Sequence, residues 1–348
     1  MNEVIAMPAP SCFLSGTFIQ YAWDSTSLGY LKTCPRLYYY HMICGYIAKD
    51  ESIHLRFGGE YHAAIQDFEN FRASGHQYED ALRETIRLLL IRIRDWDPDT
   101  GTKAGSYKNP RTLVQLVVDY FDNYRKDAAE TIILENGKPA VELTFKFELD
   151  FGPKSQEGTI FPGLEHDKDL QICMRDAGTA VPRVAQPYIL CGHLDRVVSM
   201  NDNIMVIDHK TTTTTLSDYW FNQFAPNNQM TLYTFAGKVV MDMEVKGVVI
   251  EGAQIGLEKF TSKFVRGFTY RSDDLIDEWL NDLEYHLNAA ESFAEAGHWP
   301  MNDMSCDKYG GCRFRDVCSK NPSVREHYLK SDFIQLPEDE RWNPLKAR

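Results

Sequence analysis

A chain of 348 residues, 43% hydrophobic and 25% charged, has the make-up of a folded globular protein rather than a disordered, collagen-like or coiled-coil one; at roughly 100 to 200 residues per domain it holds one large domain or two smaller ones. Its 37 lysines and arginines against 50 aspartates and glutamates leave a formal net charge of −13, which argues against coating duplex DNA by bulk charge but leaves room for a local basic groove or a metal-dependent site. No segment approaches about 18 consecutive apolar residues, and the start MNEVIAMPAPSCFLSG has an acid and a proline where a secretory signal needs a basic start and an apolar core, so a cytoplasmic, non-membrane location is expected.

In chain order, Ser and Thr capping candidates open a tyrosine-rich helix over 25–46, with Pro35 as its main irregularity. Helical periodicity continues over 57–73, 77–96 and 110–130, broken by the Gly/Pro/Asp loop 97–110 that carries Lys103 and Lys108. The period then changes. Strands are predicted at 140–151, 187–200 and 203–211, the last two joined by the hairpin-tolerant turn MNDN, while the polar stretch 152–186 reads as an insertion of unassigned structure. A helix over 216–241, interrupted near Pro226, strands at 246–257 and 262–271, and a helix at 273–297 lead into the C-terminal segment. This predicts an α/β chain in three parts: a mainly helical 1–135 carrying Cys34 and His62, a core at 136–300, and a cysteine-bearing 301–348.

The chemistry concentrates in GHLDRVVSMNDNIMVIDHKTT. Two adjacent strands present Asp195 and Asp208, and Lys210 shares a face with Asp208 because side chains alternate along a strand. Two carboxylates and the backbone carbonyl of His209 offer hard oxygens to magnesium or manganese, with Lys210 placed to offset charge on a phosphate. The bland alternative is a solvated face, but charges that end an apolar run in a buried strand need partners. His193 and His209 flank the acids; their side chains are read as turned to the opposite sheet face, and neither imidazole is taken as a ligand.

These motifs resemble the PD-(D/E)XK nuclease superfamily, specifically its RecB-like branch, which includes the nuclease domains of RecB and AddB and CRISPR-associated RecB-like exonucleases. The resemblance covers most of residues 25–320, with the branch's motifs in order: Gly59 to His62 in GGEYH, Gly192 to Asp195 in GHLD, Asp208 to Lys210 in DHK, and Gln229 to Tyr233 in QMTLY. It implies a restriction-endonuclease-like core, a mixed central sheet flanked by helices. It further implies His62, Asp195 and Asp208 as metal ligands, Lys210 as the catalytic lysine, and Gln229 and Tyr233 one helical turn apart near the active site and the DNA. On its own His62 also reads as a hydrogen-bonded core residue, and Gln229 with Tyr233 as helix packing. An auxiliary acid on the first strand is either Glu142 or Glu148.

Eight cysteines are too few for a disulfide scaffold of this length. Cys306, Cys312 and Cys318 fall within thirteen residues, and the resemblance implies that they bind a 4Fe-4S cluster together with Cys34 of SLGYLKTCPRLYYY. The C-x5-C spacing departs from the commoner two-residue gap, and a four-cysteine zinc site satisfies the same ligand count. Basic residues occur on the 77–96 helix and its loop (Arg83, Arg87, Arg92, Arg94, Lys103, Lys108) and, interleaved with phenylalanines 260, 264 and 268, at Lys259, Lys263, Arg266 and Arg271. The second pattern suits single strands; the first reads better as a solvated amphipathic face.

The resulting expectation is a metal-dependent DNA exonuclease acting on ends or single strands in recombination, repair, or phage or CRISPR DNA processing. No G-x-x-x-x-G-K-[ST] occurs, so any helicase is expected as a partner. The alternative is a non-catalytic DNA-end-binding or assembly subunit using the same fold and cluster.

Overall fold

The computed structural model describes residues 10–49, 52–97, 108–149, 188–256, 261–308 and 311–346. The predicted 152–186 insertion, Cys173, Lys103, Lys259 and Phe260 lie outside the described residues.

Helix α1 (Ser25–Thr33) opens on a capping box in which the Asp24 carboxylate accepts the Ser27 N–H at 2.8 Å and the Ser27 hydroxyl reaches back. It ends at Cys34, which the following Pro35 holds extended. Helix α2 (Pro35–Tyr38) then restarts with proline at its first position and runs on as a π-helical turn, Tyr39–Ile43. The predicted 25–46 helix is therefore two helices with Cys34 at the joint. Helices α3 (Ile53–Ala73), α4 (Tyr78–Arg92) and α5 (Pro110–Asn123) follow, the last capped by Asn109.

The sheet is mixed and seven-stranded. Its longest strand, β5 (Tyr188–Met200), carries β4 (Val141–Leu149) and the two-residue β3 (Glu130–Thr131) antiparallel along one edge. The other edge is shared by β1 (Ala22–Trp23), parallel at Ile189 and Leu190, and β6 (Asn203–Thr212), antiparallel from Arg196 to Met200. In the β5–β6 turn Asn201 and Asp202 both have positive φ, the conformation of a two-residue primed hairpin. β6 continues parallel to β7 (Val245–Ile255), and β8 (Ser262–Tyr270) closes the far edge. Between β6 and β7 run α6 (Asp218–Phe221) and α7 (Asn228–Met241); the break at Pro226 falls where expected. Helix α8 (Asp273–Glu295) covers the α7 side.

Alternation along β7 divides the core. Val248 and Ile250 join Trp23, Tyr38, Leu232 and Trp279 on one face, and Ala253 and Ile255 join Phe57, Tyr61, Leu113 and Tyr120 of α3 and α5 on the other. Each buried valine, leucine, isoleucine or phenylalanine among them contributes roughly 1.5–3 kcal/mol by leaving water. The C-terminal α9 (Arg315–Cys318) and α10 (Arg325–Asp332) pack Phe314, Val317 and Leu329 on Tyr40 and Tyr46, and β2 (Tyr46–Ala48) pairs with β9 (Phe333–Gln335). Among the described residues no helix is long and apolar enough to cross a membrane.

Candidate active site

The site lies where β5 and β6 part. Their last paired rung is Arg196–Ile207; the next would set Asp195 across from Asp208. Instead the Asp195 Oδ2 accepts the His209 backbone N–H at 3.0 Å. Beyond this fork β6 pairs with β7 alone, and Asp208 and Lys210 share one face as alternation requires. Lys210 Nζ lies 2.9 Å from Asp208 Oδ1, the hydrogen-bonded oxygen, and 2.8 Å from Oδ2, an ionic contact without hydrogen-bond geometry.

Helix α7 completes that face. Gln229 Oε1 accepts from Lys210 Nζ at 3.2 Å, and Gln229 Nε2 donates to the Tyr233 hydroxyl at 2.9 Å. The i, i+4 pair thus extends the acid–lysine contact into a chain of four side chains. From α3, His62 enters the fork with Nδ1 3.4 Å from Asp195 Oδ2 and Nε2 2.8 Å from the His209 carbonyl oxygen. A carbonyl oxygen only accepts, so the second contact is a hydrogen bond with the proton on Nε2. Ligation through Nε2 would require that nitrogen to lose its proton and this bond, whereas ligation through Nδ1, the atom nearer Asp195, leaves the bond to the His209 carbonyl intact.

Glu142 joins them. It stands on β4 directly across from Asp195 between the pairs Val141–Arg196 and Leu143–Leu194, with a positive φ of 44°. Donor atoms of His62, Glu142 and Asp195 lie within 4.8 Å of one another. Glu148 is exposed and opposite Ile189, six residues further along. The choice between the two acids therefore falls on Glu142.

Burial and charge act in opposite directions on the two aspartates. Burial pushes Asp208 up to about 6, with Lys210 opposing and the Asp195 charge adding to the rise. For Asp195 burial also raises, but His62, His209 and Lys210 outweigh it and hold the carboxyl below its usual range. Burial lowers His62, leaving the imidazole neutral and able to ligate near pH 7.

The far side of the fork holds a polar network that sequence reasoning missed. Fully buried Glu251 of β7 lies 2.8 Å from His209 Nδ1, accepts from the Tyr120 hydroxyl at 2.8 Å and from Arg266 Nε at 2.7 Å. Although burial alone would raise it, His209, Arg266 and Arg196 bring Glu251 down to about 2. The signal was available, since an acid inside VVIEGAQI needs a partner. His209 thus offers its backbone to Asp195 and His62 while its ring is tied to Glu251.

Several expectations are corrected. His209 does turn its ring to the opposite face, but His193, two residues from Asp195, shares the Asp195 face and contacts the Thr144 hydroxyl at 3.0 Å. Arg266 and Arg271 are not free for nucleic acid: Arg266 pairs with Glu251 and Asp127, and Arg271 binds Thr231, Thr269 and the Phe224 carbonyl. On α4, Arg83 and Arg87 pair with acids of the same helix and Arg94 with Asp95, as a solvated face does, whereas half-buried Arg92 ties α4 to Glu60 and Asp67 of α3. Lys108 is buried rather than displayed on its loop. It donates to the Thr211 hydroxyl at 3.2 Å, and burial lowers it to about 8.

The four selected cysteines are free thiols in one region. Asn302 donates its backbone N–H to Cys34 Sγ at 3.3 Å, and the Asn302 and Ser305 side chains bind the Thr33 carbonyl, tying the α1–α2 joint to the C-terminal segment. Cys312 N–H donates to the Cys306 carbonyl at 2.8 Å, and Cys312 and Cys318 pack on the Tyr40–Phe314 cluster. Among the described residues no three sulfurs lie within 4.8 Å of one another.

The mixed sheet thus splits at a fork that gathers two acids and a lysine. The family profile of the PD-(D/E)XK nuclease superfamily matches residues 25–319, and the chain belongs to that superfamily. It is a nuclease by family. No curated protein matches the chain significantly. Among solved structures, a candidate exonuclease from Eubacterium rectale is 12% identical with a TM-score of 0.43, over 88% of this chain and 92% of that one. The protein SSO0001 is 10% identical with a TM-score of 0.27, over 78% and 79%.

Proposed function

We propose that the chain is a metal-dependent DNA nuclease of the RecB-like branch, an exonuclease acting on DNA ends or single strands. The observation that carries the reading is the fork itself, where buried Asp208 and half-buried Asp195 stand beside Lys210 with too little positive charge to balance them. Asp208 Oδ2 is buried without a hydrogen-bond partner, and His62, Glu142 and Asp195 bring an imidazole and two carboxylates together. That donor set fits magnesium or manganese. Asp195, Asp208, Glu142 and His62 would hold such an ion, which supplies Lewis acidity toward the phosphate. Lys210, oriented by Gln229, stabilises the charge that grows on the phosphate oxygens, and Gln229 and Tyr233 fix its rotamer. Digesting DNA labelled at either end, single- and double-stranded, with magnesium or manganese tests the reading: early release of terminal nucleotides supports an exonuclease, a ladder of internal fragments an endonuclease, and no cleavage a binding subunit.

We infer further that Cys34, Cys306, Cys312 and Cys318 hold a 4Fe-4S cluster. The four thiols come from the α1–α2 joint and from the C-terminal segment that Asn302 and Ser305 tie to it, and a four-cysteine zinc site is the alternative with the same ligand count. The non-catalytic reading gains nothing from buried charges at the fork, which a scaffold does not need.

A further inference from the structure

A cleft of about 450 Å³ opens between α1, the start of α7 and the cysteine segment. Its floor is a face of α1 on which Gly29, Tyr30 and Thr33 recur at helical spacing, and its rim carries Lys308 and Arg313, both exposed. Its described lining holds these two cations and no acid, in a chain of net charge −13. Tyr30 supplies a ring, braced against His41 with centroids 4.7 Å apart. At the inner end stands Gln229, which binds Lys210 at 3.2 Å, so the cleft ends one side chain from the catalytic lysine.

We propose that this cleft takes a single nucleic-acid strand and delivers it to the fork, with Lys308 and Arg313 on phosphates and a base stacked on Tyr30. The proposal rests on the nuclease reading. Cations beside an aromatic ring are the means by which proteins grip single strands without reading sequence. The volume falls in the ~300–1,000 Å³ range of sites that enclose small ligands, room for about one or two nucleotides and not for a duplex. The cysteine segment is then a wall of the strand path as well as a tie between chain ends.

Gly29 gives a direct test. A Cβ placed there meets no atom within 4 Å, and the glycine has no left-handed φ to strain a replacement. Gly29→Phe therefore fills the cleft without crowding the core, and it removes a helix-weakening residue. Binding of a fluorescent oligothymidylate is measured without divalent metal, over a range of salt, for the full chain, Gly29→Phe, and the double variant Lys308→Gln with Arg313→Gln. The expected result is at least a tenfold loss of single-strand affinity in Gly29→Phe. In the double variant the slope of log affinity against log salt should be shallower by about 1.4, at about 0.7 per phosphate contact. Unchanged affinity and slope in both variants, while the parent chain still cuts DNA, overturns the cleft and leaves the nuclease reading standing. Loss of binding in the variants of a chain that cuts no DNA sinks the nuclease reading and overturns delivery to the fork. Equal losses for single-stranded and duplex probes overturn the single-strand assignment.

Discussion

Asp195 accepts the backbone N–H of His209 at 3.0 Å where the β5–β6 ladder ends, so a side chain takes the place of a strand carbonyl. The same carboxylate lies among the metal donors. Asp195 therefore has a structural role that Asp208 lacks. Asp195→Ala leaves a buried N–H unsatisfied and should destabilise the chain by about 1–3 kcal/mol. Asp208→Asn removes a charge that burial disfavours and should leave stability equal or higher. Urea unfolding of the metal-free proteins separates the two; equal destabilisation would show that the Asp195–His209 bond carries no such weight.

Metal choice should depend on His62. An imidazole beside carboxylates favours the softer ion, so His62→Ala should depress manganese-supported cleavage more than magnesium-supported cleavage. Glu142→Gln should raise the metal concentration for half-maximal rate tenfold or more, whereas Glu148→Gln should change nothing. Equal losses with both metals in His62→Ala would assign His62 to packing.

Glu251 should leave a mark on acid stability. Its carboxyl sits at about 2 in the folded chain against an ordinary 4.5, so its contribution is present above pH 4.5 and lost as pH falls through 2. The difference corresponds to about 3 kcal/mol. Glu251→Gln should be less stable by that order near neutrality, and the gap to wild type should close between pH 4.5 and 2. A gap independent of pH would mean that packing rather than charge is lost.

Much of this site could be read from the chain, and the rest fails for physical reasons. Each long strand is visible within two residues because half-buried strands alternate, and D-H-K shows its shared face by the same rule. Two-residue β1 and β3 are too short to show a period. Choosing Glu142 over Glu148 needs the β4–β5 register, which no local pattern contains. Arg266 looks like a nucleic-acid contact until β7 and the turn after α5 bring Glu251 and Asp127 to it. The placement of His193 shows the cost of a miscount, since the period-two rule already put it with Asp195.

The cysteines should matter for folding before chemistry. A thiolate cage forms only when α1–α2 and the C-terminal segment have met, so cluster binding adds to folding free energy. Cys34→Ser should lose visible absorbance, iron and sulfide after anaerobic purification and should unfold at lower temperature. Cys12 and Cys191, whose thiols burial holds at about 12, serve as controls with unchanged iron content. A colourless parent with stoichiometric zinc would replace the cluster; a metal-free parent of unchanged stability would remove it.

Single-turnover cleavage of end-labelled single-stranded DNA with manganese, by the wild-type chain and by Asp208→Ala and Lys210→Ala, tests the central claim that the fork is the catalytic centre. Shortening of the DNA by the wild type and a loss of at least about 10²-fold in each variant, with folding intact by thermal unfolding, is the predicted result. Cleavage by either variant at the wild-type rate would contradict it.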